Sequence, residues 1–186
     1  GALTSLVGLE GLITIGGGLQ IQQNNELTSL NGLSNVTSIG EYVIIIYNNA
    51  LTSLTGLDNL TSIEGGLGIS DNEALTSLAG LSNVTSIGGD LYIGDNHGFG
   101  CEGNSSLTSL AGLHNLISIG GMLSVECNDS LTSLTGIENI DAGTITDITI
   151  KSNPYLSTCE VQSICEYLVA PNGEISIGLN SPGCNS

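Results

Sequence analysis

The stretch LTSLTGLDNLTSIEGGLGISDN, residues 51–72, decides the fold, because it is one copy of a unit that recurs along the chain. Its opening Leu-Thr-Ser-Leu is found at Leu3, Leu27, Leu51, Leu75, Leu107 and Leu131, with separations of 24, 24, 24, 32 and 24 residues. A fixed period in this range marks a stack of equivalent coils. Within the quoted copy the apolar positions are Leu51, Leu54, Leu57, Leu60, Ile63, Leu67 and Ile69. A spacing of three is too tight for a strand and suits a series of corners, whereas Leu67-Gly68-Ile69 has period two, the mark of a strand with one buried face. Each coil is therefore expected to carry one proper strand, and the strands to align as a narrow parallel sheet along one side.

Two further columns repeat. Gly8, Gly32, Gly56, Gly80, Gly112 and Gly136 sit five positions into the unit, where coils approach closely or the backbone turns. Asn24, Asn48, Asn72, Asn96, Asn128 and, one residue late, Asn153 follow the strands. An Asn at the same corner of each coil bonds its own turn and stacks as a ladder. A second column, Asn35, Asn59, Asn83, Asn115 and Asn139, reads the same way. Asn35, Asn59 and Asn83 lie in N-x-T sequons and Asn104 and Asn128 in N-x-S, but a repeated corner accounts for the first three without glycans.

Composition narrows the function. The 186 residues suit one domain, and with three per cent aromatic residues and no Trp the core must be built from Leu, Ile and Val ladders. Eighteen acidic residues face a single basic one, Lys151, for a formal charge of -17. Such a chain has nothing with which to neutralise phosphates or an anionic membrane, which argues against nucleic acid and membrane surfaces as partners. Five Cys crowded into an insertion and the C-terminal end point to an oxidising, extracellular compartment. No apolar run reaches transmembrane length and no signal peptide is visible, so the chain is expected to be a processed piece of something longer.

The period breaks once, at residues 97–105, and the extra residues should emerge as a loop. Cys127 lies in the next coil near where that loop leaves, so Cys101 and Cys127 are read as a disulfide that pins it. From Leu156 the pattern changes. Ser157-Thr158-Cys159-Glu160 has the form of a capping box, and Val161, Ile164, Cys165 and Leu168 follow at helical spacing. A short helix, the Pro171-Asn172-Gly173 turn and a last strand at Ile175-Ser176-Ile177 with Asn180 behind it would cap the stack. The division is thus a repeat solenoid over 1–155 and a capping coil over 156–186. Stacking favours Cys159 with Cys184, leaving Cys165 buried and free, with a Cys165 pairing as the alternative.

Residues that face outward from the strands are the informative ones. In Tyr42-Val43-Ile44-Ile45-Ile46-Tyr47, Val43 and Ile45 point inward, leaving Tyr42, Ile44 and Ile46 outside. Tyr92 shares the column of Ile44 and Met122 that of Tyr42, so these five residues form an apolar patch, the candidate contact site. Asp71, Asp90 and Asp95 beside Tyr42 and Tyr92 would suit a glycan. The alternative face is the hydroxyl column Thr28, Thr52, Thr76, Thr108 and Thr132, whose regular spacing is like that of ice-binding solenoids, although corner hydroxyls commonly bond local backbone. Acidic residues near the insertion, including Glu102 and Glu126, would suit Ca²⁺, but no loop spacing of a known calcium motif occurs and no other cofactor is indicated. Scattered acids without a cleft, one Lys, and two His far apart in register, His97 and His114, indicate no enzyme.

The repeated LTSLxGLxNLTSIGGxLxIxxN, with the end NPYLSTCEVQSICEYL and GCNS, resembles the receptor L-domain and leucine-rich-repeat-like family, in the form common on surface and secreted proteins of Bacteroidetes bacteria. The resemblance covers nearly the whole chain. It implies an all-β fold, a right-handed parallel β-solenoid of about seven coils of roughly 24 residues with a helix-containing C-terminal cap. It also implies ligand binding, as in the L domains of insulin and epidermal growth factor receptors, and it carries over no catalytic residue. The cap resembles what often precedes a type IX secretion sorting domain. Cys-rich modules are missing and the period is unusually regular, so peptide-hormone binding does not transfer. The expected protein is a secreted or cell-surface module for recognition or adhesion, with a protein or glycan partner.

Overall fold

The computed structural model describes residues 3–95, 101 and 103–184; the insertion residues His97, Phe99 and Glu102, and the ladder position expected for Asn96, lie outside them. In chain order the elements are β1 Thr14–Ile15, β2 Leu19–Gln22, β3 Ser38–Ile39, β4 Val43–Ile46, β5 Ser62–Ile63, β6 Leu67–Ser70, β7 Ser86–Ile87, β8 Leu91–Gly94, β9 Ser118–Ile119, β10 Leu123–Glu126, β11 Ile148–Lys151, α1 Gln162–Val169 and β12 Ile175–Gly178. The four-residue strands form a parallel sheet in the order β12-β11-β10-β8-β6-β4-β2, which is the stacking order of the repeats. The fold is mostly β, a β-helix-like stack with one helix.

One strand per coil was an underestimate. The two-residue strands make a second parallel sheet, β1-β3-β5-β7-β9, at the Ser-Ile corner of each repeat. Ile63 is buried and pairs with Ile39 and Ile87, while Ser62 beside it is half-buried, so this corner already has a strand's alternation over its short length.

Burial follows the columns of the repeat. Leu51, Leu54, Leu57, Leu60, Ile63, Leu67 and Ile69 are all buried in one continuous apolar cluster, as are their equivalents in the flanking repeats. Parallel strands buried on the inner face carry their polar groups outward and at the corners. Five-in Gly is needed at these corners because a Cβ on Gly80 would stand 1.9 Å from the Leu54 carbonyl oxygen of the preceding repeat. Two turn types occur there. Gly32, Gly80 and Gly112 lie in short 3-10 turns, whereas Gly56 takes φ +114° and donates its N–H to Asp58, two residues on, at 2.7 Å. Gly136 repeats the second arrangement with Glu138. A carboxylate two residues after the Gly thus accompanies positive φ, where Ser34, Ser82 and His114 close a 3-10 turn.

The Asn ladder runs through the stack with one change of member. Asn72 donates from Nδ2 to the carbonyls of Ile45 (2.9 Å) and Ser70 (2.8 Å), and its backbone N–H donates to Oδ1 of Asn104 at 3.3 Å. Asn104 in turn donates its backbone N–H to Oδ1 of Asn128 at 3.4 Å. Asn104 therefore holds the place assigned from sequence to Asn96, and the extra residues fall between Asp95 and Asn104, not at 97–105. Two Asn eight positions apart satisfy the period equally well; the hydrogen bonds distinguish them.

The C-terminal end corrects two further expectations. The N-cap of α1 is Val161, without a side-chain cap bond, and Thr158 instead pairs with Ser133 as a continuation of the stack, so there is no capping box. The inward residues of α1 are Ser163, Ile164 and Tyr167, while Cys165 and Leu168 are exposed. Tyr167 sets this phase: its hydroxyl donates to the Thr146 carbonyl at 2.6 Å and accepts the Gly173 N–H at 3.1 Å. Disulfides join Cys159 to Cys184 and Cys101 to Cys127, with Cα separations of 5.4 and 5.2 Å, and Cys165 is free. Among the described residues no helix is long and apolar enough to cross a membrane.

Candidate functional site

Parallel pairing in register turns the repeat into rows on the outer face of the long sheet. One row runs Gln20, Ile44, Gly68, Tyr92, Ser124, Thr149, and the next Gln22, Ile46, Ser70, Gly94, Glu126, Lys151. The residues just before the strands, among them Gly18, Tyr42, Gly66, Asp90 and Met122, form a third row at the strands' amino ends. In the third row Tyr42 stands between Gly18 and Gly66, and in the first Gly68 separates Ile44 from Tyr92. The ring of Tyr42 lies on Gly18, where a Cβ would stand 2.6 Å from Cζ. Glycine therefore levels the face by giving its neighbour's ring a place to lie flat.

Of the five residues proposed from sequence, Tyr42 is 41% exposed, and Ile44, Tyr92 and Met122 are half-buried. Ile46 differs: it stands apart from the core cluster, as an outward residue should, but is only 8% exposed. It is a support of the patch more than a contact, since period two fixes which way a side chain points and not what its neighbours cover. Tyr92 and Met122 are tied together through Asp90. The Tyr92 hydroxyl donates to Asp90 Oδ2 at 3.1 Å, and Asp90 Oδ1 accepts the Met122 N–H at 2.8 Å. Burial first, and then the charges of Asp90 and Glu126, raise the Tyr92 phenol above its ordinary value, so it stays a neutral donor through the physiological range.

Where the face ends at the carboxyl ends of the strands, a cavity of about 280 Å³ opens. Tyr47, Asp71 and Cys127, the residues directly after β4, β6 and β10, line it, together with Asn49, Glu73, Cys101 and Asp129. Tyr47, Asp71 and Cys127 all have left-handed φ, between 54° and 59°, which turns the chain away from the face at the same place in each repeat. Sequence reading named Asp71 and the disulfide but passed over Asn49, Glu73 and Asp129. These follow the ladder Asn residues by one position, and that regular placement was the available signal.

The other candidates are placed elsewhere. Thr28, Thr52, Thr76, Thr108 and Thr132 are exposed, but the hydroxyls of Thr76 and Thr132 donate to the Thr52 and Thr108 carbonyls at 3.2 and 3.5 Å. Hydroxyls held this way serve the corner, which weakens the case for an ice-matching array. Nδ2 of Asn35, Asn59 and Asn83 donates to a carbonyl of the preceding repeat at 2.7, 2.6 and 2.6 Å, and Asn104 and Asn128 are fully buried, so all five sequons carry structural Asn. Among the described residues no three His, Cys, Asp or Glu side chains converge as a metal cluster. His114 bonds the Ala111 carbonyl within its own turn at 2.7 Å.

Among known families, the Receptor L domain matches residues 13–108, slightly more than half of the chain. A comparison with curated proteins finds none that matches. Receptor L domains are extracellular, non-enzymatic modules with which receptors bind protein ligands. The match spans β2, β4, β6 and β8 and hence the face that carries Tyr42, Ile44 and Tyr92. The chain belongs to the Receptor L domain family.

Proposed function

We propose that this chain is an exported or cell-surface recognition module that binds a protein ligand on the outer face of its long sheet. In this reading a right-handed stack of about seven coils presents the face, the last of them the capping coil over residues 156–186 that closes the repeat solenoid of residues 1–155. Contacts come from Tyr42, Ile44, Tyr92 and Met122, with Ile46 beneath them. The observation that carries the reading is the outward apolar group at Tyr42 and Ile44 on a face that the fold does not need to make apolar. Flatness favours a protein surface, because a small molecule needs a concave site to bury most of its area.

The test is binding by the double variant Tyr42→Ser/Ile44→Ser. Both side chains are outside the core, so the variant should fold with unchanged secondary structure and lose protein ligands selected on the wild-type domain. Retention of those ligands at wild-type affinity would remove the face from consideration.

A further inference from the structure

We infer that a second copy of this chain covers the end of the stack opposite the cap, with β2 pairing antiparallel to β2 of the second copy about a twofold axis. The inference goes beyond the strand-face reading and does not rest on it. Among the described residues nothing stacks on the coil of residues 3–24, and β2 ends the long sheet. Leu9 and Leu12 are 40% and 38% exposed there, whereas Leu57 and Leu60 in the same columns are fully buried. Leu6, Leu9, Leu19 and Ile21 border an apolar hollow of about 210 Å³ in this end.

The end is not shaped for one more repeat. Between stacked coils, Nδ2 of Asn35 and Asn59 donates to the Glu10 and Ser34 carbonyls of the coil before, at 2.7 and 2.6 Å. The Thr37 and Thr61 hydroxyls likewise donate to the Ile13 and Thr37 carbonyls, both at 3.2 Å. In the terminal coil those two columns hold Gly11 and Ile13, neither of which has a side chain that can donate. Apolar groups are added instead. Val7, 82% exposed, stands where the other coils carry Asn31, Thr55, Ala79, Ala111 and Thr135. Ile13, 63% exposed, takes the place of Thr37, Thr61 and Thr85, a substitution repeated at Ile117. An end that has lost its polar reach and gained exposed apolar side chains suits contact with a surface like itself.

Charge points to the same end. Of the 18 acidic residues only Glu10 falls within residues 1–25, and its carboxylate accepts the Gly8 N–H at 2.8 Å. The cap, by contrast, carries Glu160, Glu166 and Glu174. Two copies at -17 each repel one another least when they meet through the coil of residues 3–24. The edge strand is also self-complementary. Leu19 and Gln23 donate to the Tyr42 and Ile46 carbonyls at 2.8 and 3.1 Å, so alternation turns the N–H and C=O of Gln20 and Gln22 away from β4, toward the open edge. With Ile21 of both copies at the axis, Gln20 lies opposite Gln22 of the second copy, and each such pair exchanges both of its N–H···O bonds. Neutral amides then face one another across the join. The two long sheets become one, with Ile44 of both copies on the same outer face.

The test is sedimentation equilibrium of the whole chain from about 1 µM to about 1 mM. The mass should rise from one copy to two and stop there, because a twofold contact closes on itself. Val7→Asp/Ile13→Asp, at two exposed positions, should weaken the dimer by about tenfold or more with an unchanged circular dichroism spectrum. Gln20→Lys/Gln22→Lys lowers the net negative charge, which by itself favours association, yet it sets Lys against Lys in this register and should also weaken the dimer about tenfold. Gln20→Lys/Gln22→Glu sets each Lys opposite a Glu and should dimerise at least as well as the wild type. A chain that stays monomeric at the highest concentration, assemblies that grow past two copies, a dimer indifferent to Val7→Asp/Ile13→Asp, or equal behaviour of the two charged β2 variants would each overturn the inference.

Discussion

The ring of Tyr42 rests on the bare backbone of Gly18, close enough that a Cβ at Gly18 would meet its Cζ at 2.6 Å and Cε2 at 2.7 Å. This contact ties the candidate face to the sequence, for only a Gly in one coil lets the next coil's aromatic lie flat. Gly18→Ala should lift the ring while costing less than about 1 kcal/mol, because the obstructing atoms are the far end of a mobile side chain. Near-UV circular dichroism should report the change in Tyr42, with urea unfolding nearly unaltered. A large loss of stability would show the ring to be structural.

Gly80→Ala is the contrasting case. Its Cβ would meet the Leu54 carbonyl oxygen at 1.9 Å and the carbonyl carbon at 2.3 Å, and backbone of a stacked coil has no rotamer to escape into. The coils must part locally, at a cost of about 3 kcal/mol. Equilibrium unfolding in urea measures it, and a midpoint like that of Gly18→Ala would contradict the close approach.

Asn72 is fully buried and serves three backbone groups at once, donating to the Ile45 and Ser70 carbonyls and accepting the Asn48 N–H at 3.1 Å. Asn72→Ala strands all three and should cost about 3 kcal/mol or more. Asn72→Asp keeps the acceptor but sets a carboxylate against two carbonyls. That variant should be least stable at neutral pH and recover as the pH falls and the carboxyl gains a proton to donate. Thermal melts at pH 7 and pH 4 of both variants check the pair; an Asp variant insensitive to pH would count against the assigned donor roles.

How far could all this be read in the chain itself? The inward columns could, because a 24-residue period repeats each apolar position five or six times and chance cannot do so. Ile46 could not, since its direction follows from period two but its burial depends on the neighbouring side chains. The phase of α1 was missed for a related reason: one short helix offers too few turns to separate Ile164 and Tyr167 from Cys165 and Leu168, and a single Tyr hydroxyl bond to Thr146 fixes it. Asn104 and Asn96 were interchangeable on spacing. The cavity was hidden because the column after the ladder varies in chemistry, from Asn49 to Glu73 to Asp129, and no repeated residue type draws attention to it.

Tyr92 should leave a mark on the alkaline stability of the protein. Its phenol lies above the ordinary 10.0, first through burial and then through Asp90 and Glu126. The folded state thus holds this proton more tightly than the unfolded chain does. The resulting stability is fully present below the unfolded value and is lost as the pH rises through the folded one. Melting temperature should therefore decline above about pH 10 in the wild type, and less steeply in Tyr92→Phe. Identical alkaline profiles for the two proteins would mean that the phenol is not held by Asp90.

Cys165 yields the last expected outcome. It is free and exposed on α1, and with Cys159 and Cys184 it lines one cavity of about 190 Å³. Native protein should consume about one equivalent of a thiol reagent without denaturant, and the label should map to Cys165. During oxidative refolding the same thiol competes with Cys159 for Cys184, because exchange needs only a thiolate that can reach a disulfide sulfur. Cys165→Ser should abolish native labelling, leave the melting temperature unchanged and raise the yield of correctly bonded protein, as read by peptide mapping. Labelling that appears only on unfolding would place Cys165 inside the cap, as the sequence first suggested, and would reverse the phase assigned to α1.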